Sequence, residues 1–309
     1  MMPATIRVLL HLVVLLALPP LVMGVINKTK AALAGRRGPP VLQLYWDLAR
    51  LLQKGLVQST TTTALFRLGP LVTLGATLLA GLFVPLGAGA APLGFTGDLV
   101  LFAGLLALGR LATTLAALDT GSAFEGMGVA RELTFAVFAE PAVLFVFLAL
   151  TQLAGLGSLS TLLHDGPAQA LAVAPLLLCA VGLFVVLLAE GSRIPFDDPN
   201  THLELTMVHE VMVLDHSGPP LAAILAGAAM KLTLLASIVI ALVLPTASFD
   251  AVPWVGFGAH VLAILLMGVV IGLVESTMAR LRMKHAPSLL VAALLLCAFG
   301  FLLSVRAQP

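Results

Sequence analysis

Apolar runs of about 20 residues recur along the whole chain, separated by short stretches that carry most of its polar side chains. The pattern predicts spans at roughly 6–26, 68–88, 98–118, 132–153, 170–190, 219–245, 254–276 and 287–305. A run of that length crosses the hydrocarbon of a bilayer as an α-helix. The expected fold class is therefore all-α integral membrane, with residues 1–309 forming one polytopic domain of eight transmembrane helices. Arg7 precedes the first run, as it would in a signal peptide. No small-x-small cleavage site follows, and the run is long enough to span, so a retained helix is expected, kinked at Pro19-Pro20. No internal repeat is visible and no paired broken helices occur, which argues against an inverted-repeat transporter.

The stretch 28–67 is of another kind. Leu44, Tyr45, Leu48, Leu51 and Leu52 form an apolar stripe, with Asp47, Arg50 and Lys54 on the other face. That pattern predicts an interfacial helix lying on the membrane, the alternative being a solvated helix packed on a partner. The run Ser59–Thr63 carries no specific signal.

Positive charge is sorted by side. The stretches 28–67, 120–131, 190–218 and 277–286 hold seven, one, one and three Lys/Arg, while the opposite side holds only Arg7 and Arg306. The positive-inside rule then makes the four stretches cytoplasmic and puts both termini outside.

Composition agrees with the pattern. Mean hydropathy is +1.10 and charged residues are 10% of the chain, against about 25% in ordinary soluble domains. A net charge of +1 gives no field to recruit nucleic acid. Cys179 and Cys297 stand alone in separate runs without cluster-ligand spacing, so no iron–sulfur centre is expected on this chain.

The chemistry concentrates between Glu190 and Glu210, which holds five of the 15 Asp+Glu and two of the seven His. Pro195 and Pro199 end any helix arriving from upstream. Thr201 and Glu204 have capping-box spacing, which predicts a helix from Thr201 carrying His202, Thr206, His209 and Glu210 on one face.

Arg110, Glu140, Lys231 and Glu275 fall in or at the ends of apolar runs. A charge at the membrane centre costs about 2.5–3.5 kcal/mol even on the lenient insertion scale, so such groups face a polar interior. Glu140 reads either as a station in a proton path, its pKa raised by burial, or as one half of a static ion pair with Arg110 or Lys231. Glu190, at the end of the fifth run, could link it to the loop. His11 and His260 read as satisfied or snorkelling histidines rather than ligands. His209-Glu210 begins like a zinc-protease helix but lacks the second histidine. Gly126-Met127-Gly128 lacks the strand and third glycine of a dinucleotide fingerprint.

The string Glu190-Gly191-Ser192-Arg193-Ile194-Pro195-Phe196-Asp197 resembles the E-x-x-R-x-P-F-D signature of the membrane subunit 1 family of respiratory complex I and its hydrogenase relatives. Gly35-Arg36-Arg37-Gly38-Pro39 is similar to that family's loop after the first span. Arg131-Glu132-Leu133-Thr134-Phe135 through Ala139-Glu140-Pro141 is similar to the hydrogenase-type fourth span. The run from Asp198 to Glu210 carries fewer carboxylates than the quinone-linked members of that family usually have in this loop, and it resembles the branch in formate hydrogenlyase and other membrane-bound nickel–iron hydrogenases.

The resemblance implies a membrane anchor and ion-coupling subunit of the bacterial or archaeal inner membrane, linking electron transfer to proton or sodium translocation. Its expected partners are hydrogenase large and small subunits, a ferredoxin-like iron–sulfur subunit, antiporter-like membrane subunits and the lipid bilayer. Iron–sulfur clusters and the nickel–iron centre are expected on those partners, with no cofactor on this chain. The implied proton path comprises Glu140, Glu190, Glu204, Glu210, His202, His209, Asp197, Arg110 and Lys231. The docking residues are Arg193, Asp198, Arg36 and Arg37. A quinone-site subunit of an NADH:quinone oxidoreductase and a stand-alone ion carrier stay open as alternatives.

Overall fold

A computed structural model describes residues 4–87, 90–165, 173–197, 207–244 and 253–306. Among these, eight helices are long and apolar enough to cross a membrane. They are α1 (Ala4–Leu33), α3 (Ala64–Gly81), α4 (Asp98–Asp119), α5 (Ala123–Ala154), α7 (Val173–Glu190), α8 (Gly218–Val243), α9 (Pro253–Thr277) and α10 (Ala286–Arg306). Two further helices are shorter: α2 (Gln43–Gln53), and α6 (Leu159–Asp165), which the apolar pattern did not announce. The chain is a multi-pass membrane protein. Helix α1 continues without a break through Pro19 and Pro20.

A short helix forms where the stripe predicts one, as α2. None of its residues is buried, and Trp46 and Leu52 are exposed. Tyr45 ties it down, its hydroxyl donating to the carbonyl of Ala17 on α1.

Helix α8 is the axis of the bundle. It packs against α1, α2, α3, α6, α7 and α9, and nearly every residue from Ala229 to Leu242 is buried. Around it, α3 packs on α4, α5 and α7 pack on α10, and α1 packs on α9. Between membrane helices there is little hydrophobic drive, so close approach through small residues does the work. At the α7–α10 crossing a Cβ on Gly182 would stand 2.8 Å from the carbonyl oxygen of Ala293, and one on Gly300 would stand 2.9 Å from that of Pro175. The same crossing brings Cys179 and Cys297 together, each thiol facing the other's backbone carbonyl, both buried and free.

Helix ends are satisfied by carboxylates from neighbouring elements. Asp119, closing α4, accepts the backbone N–H of Thr63 at 2.6 Å and of Phe66 at 3.3 Å, capping α3. At the other end of the bundle, fully buried Asp98 accepts from the N–H of Phe95 at 3.2 Å and from that of Leu159, which opens α6, at 2.5 Å.

Two boundaries differ from expectation. The stretch 120–131 is mostly helix, because α5 starts at Ala123 and continues for 32 residues. The helix expected from Thr201 lies over residues 201–206 outside the described residues; Met207–His209 are not helical, and Glu210–Val213 form one 3₁₀ turn. The cause is Asp197, whose carboxylate takes the N–H groups of Val208 at 3.0 Å and His209 at 3.2 Å and so removes the donors an α-helix would use.

Replacing Gly182 by Val should destabilise the bundle by about 1–3 kcal/mol through overpacking. Gly75 has open space where its Cβ would stand, so Gly75→Ala should stay within about 0.5 kcal/mol of wild type. Thermal unfolding in detergent compares the two.

Candidate functional site

A helix buried on several faces can carry a charge only where a partner reaches it, and four helices supply such partners at one level. Arg110 of α4 points its guanidinium at three carboxylates. Its Nε lies 3.1 Å from Glu132 Oε1, and its two terminal nitrogens bond Glu140 and Glu190. The planar fork of five N–H donors permits this, and a lysine in its place would not. Glu132 and Glu140 lie eight residues apart on α5, and Glu190 is the last residue of α7. Lys231 of α8 completes the group, its Nζ 3.1 Å from Glu190 Oε2.

The loop before α8 adds the sixth member. His209 Nε2 stands 3.2 Å from Glu132 Oε2, while its Nδ1 is buried without a hydrogen-bond partner. Burial opposes a charge on this imidazole, but the attraction of Glu132 outweighs it and raises the pKa above the usual histidine value. Seven residues on, His216 meets the opposite fate. It is stacked on Phe66 with ring centroids 4.0 Å apart, and burial lowers its pKa to about 4 against a weaker pull from Asp215. Two histidines of one loop are thus set apart by whether a buried carboxylate faces them.

The arithmetic of the cluster is unusual. Among the described residues, Arg110 and Lys231 are two cations set against Glu132, Glu140 and Glu190, an excess of one negative charge. One proton, on His209 or on a carboxylate, neutralises it. Five of the six side chains are at most 24% exposed, whereas Glu140 is 48% exposed and lies within the exposed α5 stripe of Leu133, Val137, Leu144 and Leu148. The burial expected for Glu140 is therefore not found. It sits at the edge of the bundle, held from inside by Arg110.

A second buried group lies beside the first. Glu275 of α9 is shared by Lys30 of α1 at 2.7 Å and Arg193 at 3.4 Å. Arg193 is 2% exposed, and its partners Glu275 and Met23 belong to this same chain. Any docking role of Arg193 would have to act through the loop it holds, because its side chain points inward. Phe196 is fully buried against Phe135, and the N–H of Leu281 donates to the carbonyl of Pro195 at 3.1 Å. Asp197, 3% exposed, adds Arg280 at 3.6 Å to its two backbone donors.

Among the sequence-predicted residues, Glu140, Glu190, His209, Arg110 and Lys231 converge. Asp197 holds the backbone next to them, and Glu210 opens the 3₁₀ turn. Arg36 and Arg37 are exposed after α1. Asp198, His202 and Glu204 lie outside the described residues. Glu132, which ties Arg110 to His209, was missed. A span expected to start at residue 132 puts that carboxylate at a boundary, where a charge is cheap; a start at Ala123 puts it two turns inside. Among the described residues no three His, Cys, Asp or Glu side chains are grouped so as to hold a metal ion.

Comparison with known proteins places this geometry. The sequence pattern of the NADH dehydrogenase family matches residues 6–306. Hydrogenase-4 component C of Escherichia coli is 33% identical over 276 residues, 87% of this chain and 85% of that protein. Formate hydrogenlyase subunit 4 of the same organism is 32% identical over 302 residues, 95% of this chain and 94% of that protein. Among solved structures, a chain of an archaeal respiratory membrane complex, the membrane-bound sulfane sulfur reductase, shares the fold. It gives a TM-score of 0.78 at 24% identity, over 97% of this chain and 99% of that one. With nearly its full length matched, and two hydrogenase components among its relatives, the chain belongs to the NADH dehydrogenase family, in its subunit 1 branch shared with hydrogenases.

Proposed function

We propose that this chain is the membrane anchor and ion-coupling subunit of a complex I-like, energy-converting hydrogenase of the formate hydrogenlyase type. It docks peripheral nickel–iron hydrogenase and iron–sulfur subunits and links their electron transfer to proton movement. One observation carries the reading: three carboxylates face two cations inside the membrane, with His209 as the group that takes up the balance. A cluster built only for stability would match its charges, since an uncompensated buried charge is strongly destabilising. Among the described residues neutrality calls for one added proton, which is the stoichiometry a proton station needs.

The docking face is the basic end of the bundle. It bears α2, the exposed Arg36 and Arg37, and the loop that Asp197 closes with His209. The hydrogenase relatives support the nature of the partner, and the redox centres are placed on those partners. The positive-inside asymmetry makes this end cytoplasmic and puts the N-terminus outside.

Three measurements test the proposal. Both native cysteines are buried, so a cysteine introduced at exposed Ala34 should react with a membrane-impermeant maleimide from the cytoplasmic side only. Labelling from outside would invert the topology. Glu190→Gln keeps shape and a hydrogen bond but cannot change charge. The assembled complex should keep hydrogenase activity with an artificial electron donor and lose at least about 90% of proton uptake into vesicles. Wild-type uptake would remove the cluster from the proton path. The third measurement is pH dependence. His209 has a folded pKa above its unfolded value near 6.5, so its pairing with Glu132 stabilises fully below that value. This contribution is lost as pH rises through the folded pKa. Thermal stability should therefore fall with pH above about 6.5, and His209→Gln should flatten that limb.

A further inference from the structure

Helix α5 carries one charge that its own bundle leaves half outside. Glu140 is the eighteenth of the 32 residues of this helix. At 1.5 Å per residue it stands about 25 Å from Ala123 and about 21 Å from Ala154. Its Oε1 is bonded by Arg110, while its Oε2 has no hydrogen-bond partner among the described residues. The other exposed charges on the spanning helices, among the described residues, are Arg7, Lys28, Arg67 and Arg306. Each of these lies within two turns of a helix end, where a long side chain reaches headgroups and water. A short carboxylate in the middle of a span has no such escape.

The surface around Glu140 is apolar and regular. Leu133, Val137, Leu144 and Leu148 are all exposed, Val137 at 64%. With Glu140 between them they follow one another at spacings of four, three, four and four residues, the pattern of a seam along which a second helix packs. The remaining faces of α5 are taken by α4, α7 and α10. Lipid tails cannot complete the seam, because they offer no donor to Oε2, and an unsatisfied carboxylate oxygen against hydrocarbon is destabilising. Lipid ammonium groups stay at the headgroup level, outside the hydrocarbon. Protonating Glu140 does not remove the need, since it turns an unsatisfied acceptor into an unsatisfied donor. A second copy of this chain would set Glu140 against Glu140, acceptor against acceptor.

We propose that the Leu133–Leu148 seam of α5 is a docking surface for a transmembrane helix of a second membrane subunit. That helix presents an otherwise apolar face with one hydrogen-bond-donating side chain, and the donor bonds Glu140 Oε2. Apolar contact along the seam supplies packing, and the single polar pair fixes the register of the two helices. The docking face rests on reading this chain as one membrane subunit among several, and it stands whether or not the charge cluster carries protons.

The test uses the complex purified from its membrane, with a photo-activatable benzophenone side chain in place of Val137 or of Leu144. Both positions are exposed, so neither replacement disturbs the core. Both should cross-link to one transmembrane segment of a second membrane subunit, with a donor side chain within a turn of the captured residue. Glu140→Leu removes the acceptor and should lower the amount of that subunit retained in the complex about tenfold. Glu140→Gln, which keeps an acceptor oxygen, should retain it. Because Glu140→Leu also takes a partner from Arg110, retention is measured as well with the captured donor replaced by Leu on the other subunit, and it should fall likewise. Cross-linking to lipid alone, to a second copy of this chain or to a segment without a donor overturns the proposal. Full retention after loss of the captured donor overturns it too. A purified complex that holds no other membrane subunit would sink the multi-subunit reading itself, whereas lipid cross-links in a complex that does hold one sink the docking face alone.

Discussion

One guanidinium holds this bundle's charges in place. Arg110 reaches α5 through Glu132 and Glu140 and α7 through Glu190, and Glu190 reaches α8 through Lys231. Four helices are therefore cross-linked at one level by groups that none of them could carry alone in hydrocarbon. Dispersion and small-residue contact set the helix crossings elsewhere, at Gly182 with Ala293 and Gly300 with Pro175. At the Arg110 level, electrostatics fixes the register instead. Moving one helix would strand a carboxylate, at a cost of several kcal/mol by the usual figures for breaking a buried pair.

The transmembrane architecture was largely legible in the sequence because a bilayer enforces it. Backbone groups must be satisfied within each segment, so apolar run length translates directly into helices. The boundaries that failed are those where the bilayer no longer decides. Helix α5 extends back to Ala123 because the polar residues of its first turns find protein partners: Glu125 contacts the Thr120 hydroxyl and Arg131 donates to the Met207 carbonyl. The helix expected before His209 was displaced at Met207–His209 by the Asp197 carboxylate, a long-range competitor that local capping spacing cannot reveal. Pairing was partly legible as well. The intramembrane charges Arg110, Glu140 and Lys231 announce themselves by their surroundings, whereas Glu132 hid at a misjudged helix start. Arg193 looked like a surface residue because it follows a helix end, and only the fold shows that the loop turns inward over Glu275.

The two buried groups differ in what they can do. Glu275 is met by Lys30 and Arg193, so among the described residues the smaller site has more positive than negative charge and no histidine partner. It locks α1, α9 and the start of the loop together. Among the described residues the Arg110 group has the opposite imbalance, and at its edge stands an imidazole whose pKa the facing Glu132 raises. In the proposed role, similar residue types therefore serve as a static tie in one place and a proton-accepting site in the other, with net charge as the difference.

His209 joins that site to the loop by two different atoms. Its backbone N–H is held by Asp197, and its ring faces Glu132. Asp197 also holds Val208 and Arg280, and its own N–H bonds the carbonyl of Arg193. A displacement of the loop would move the imidazole relative to Glu132, and the attraction between charges that close in a weakly screened interior changes steeply with distance. In the proposed role this is how a docked partner would reach the membrane charges without contributing a residue to them. The same chain of contacts runs in reverse: loss of the proton from His209 weakens its hold on Glu132 and with it one of the two contacts that fix this residue. Binding energies at two linked sites are reciprocal, so whatever docking does to the proton affinity of His209, protonation must do to docking.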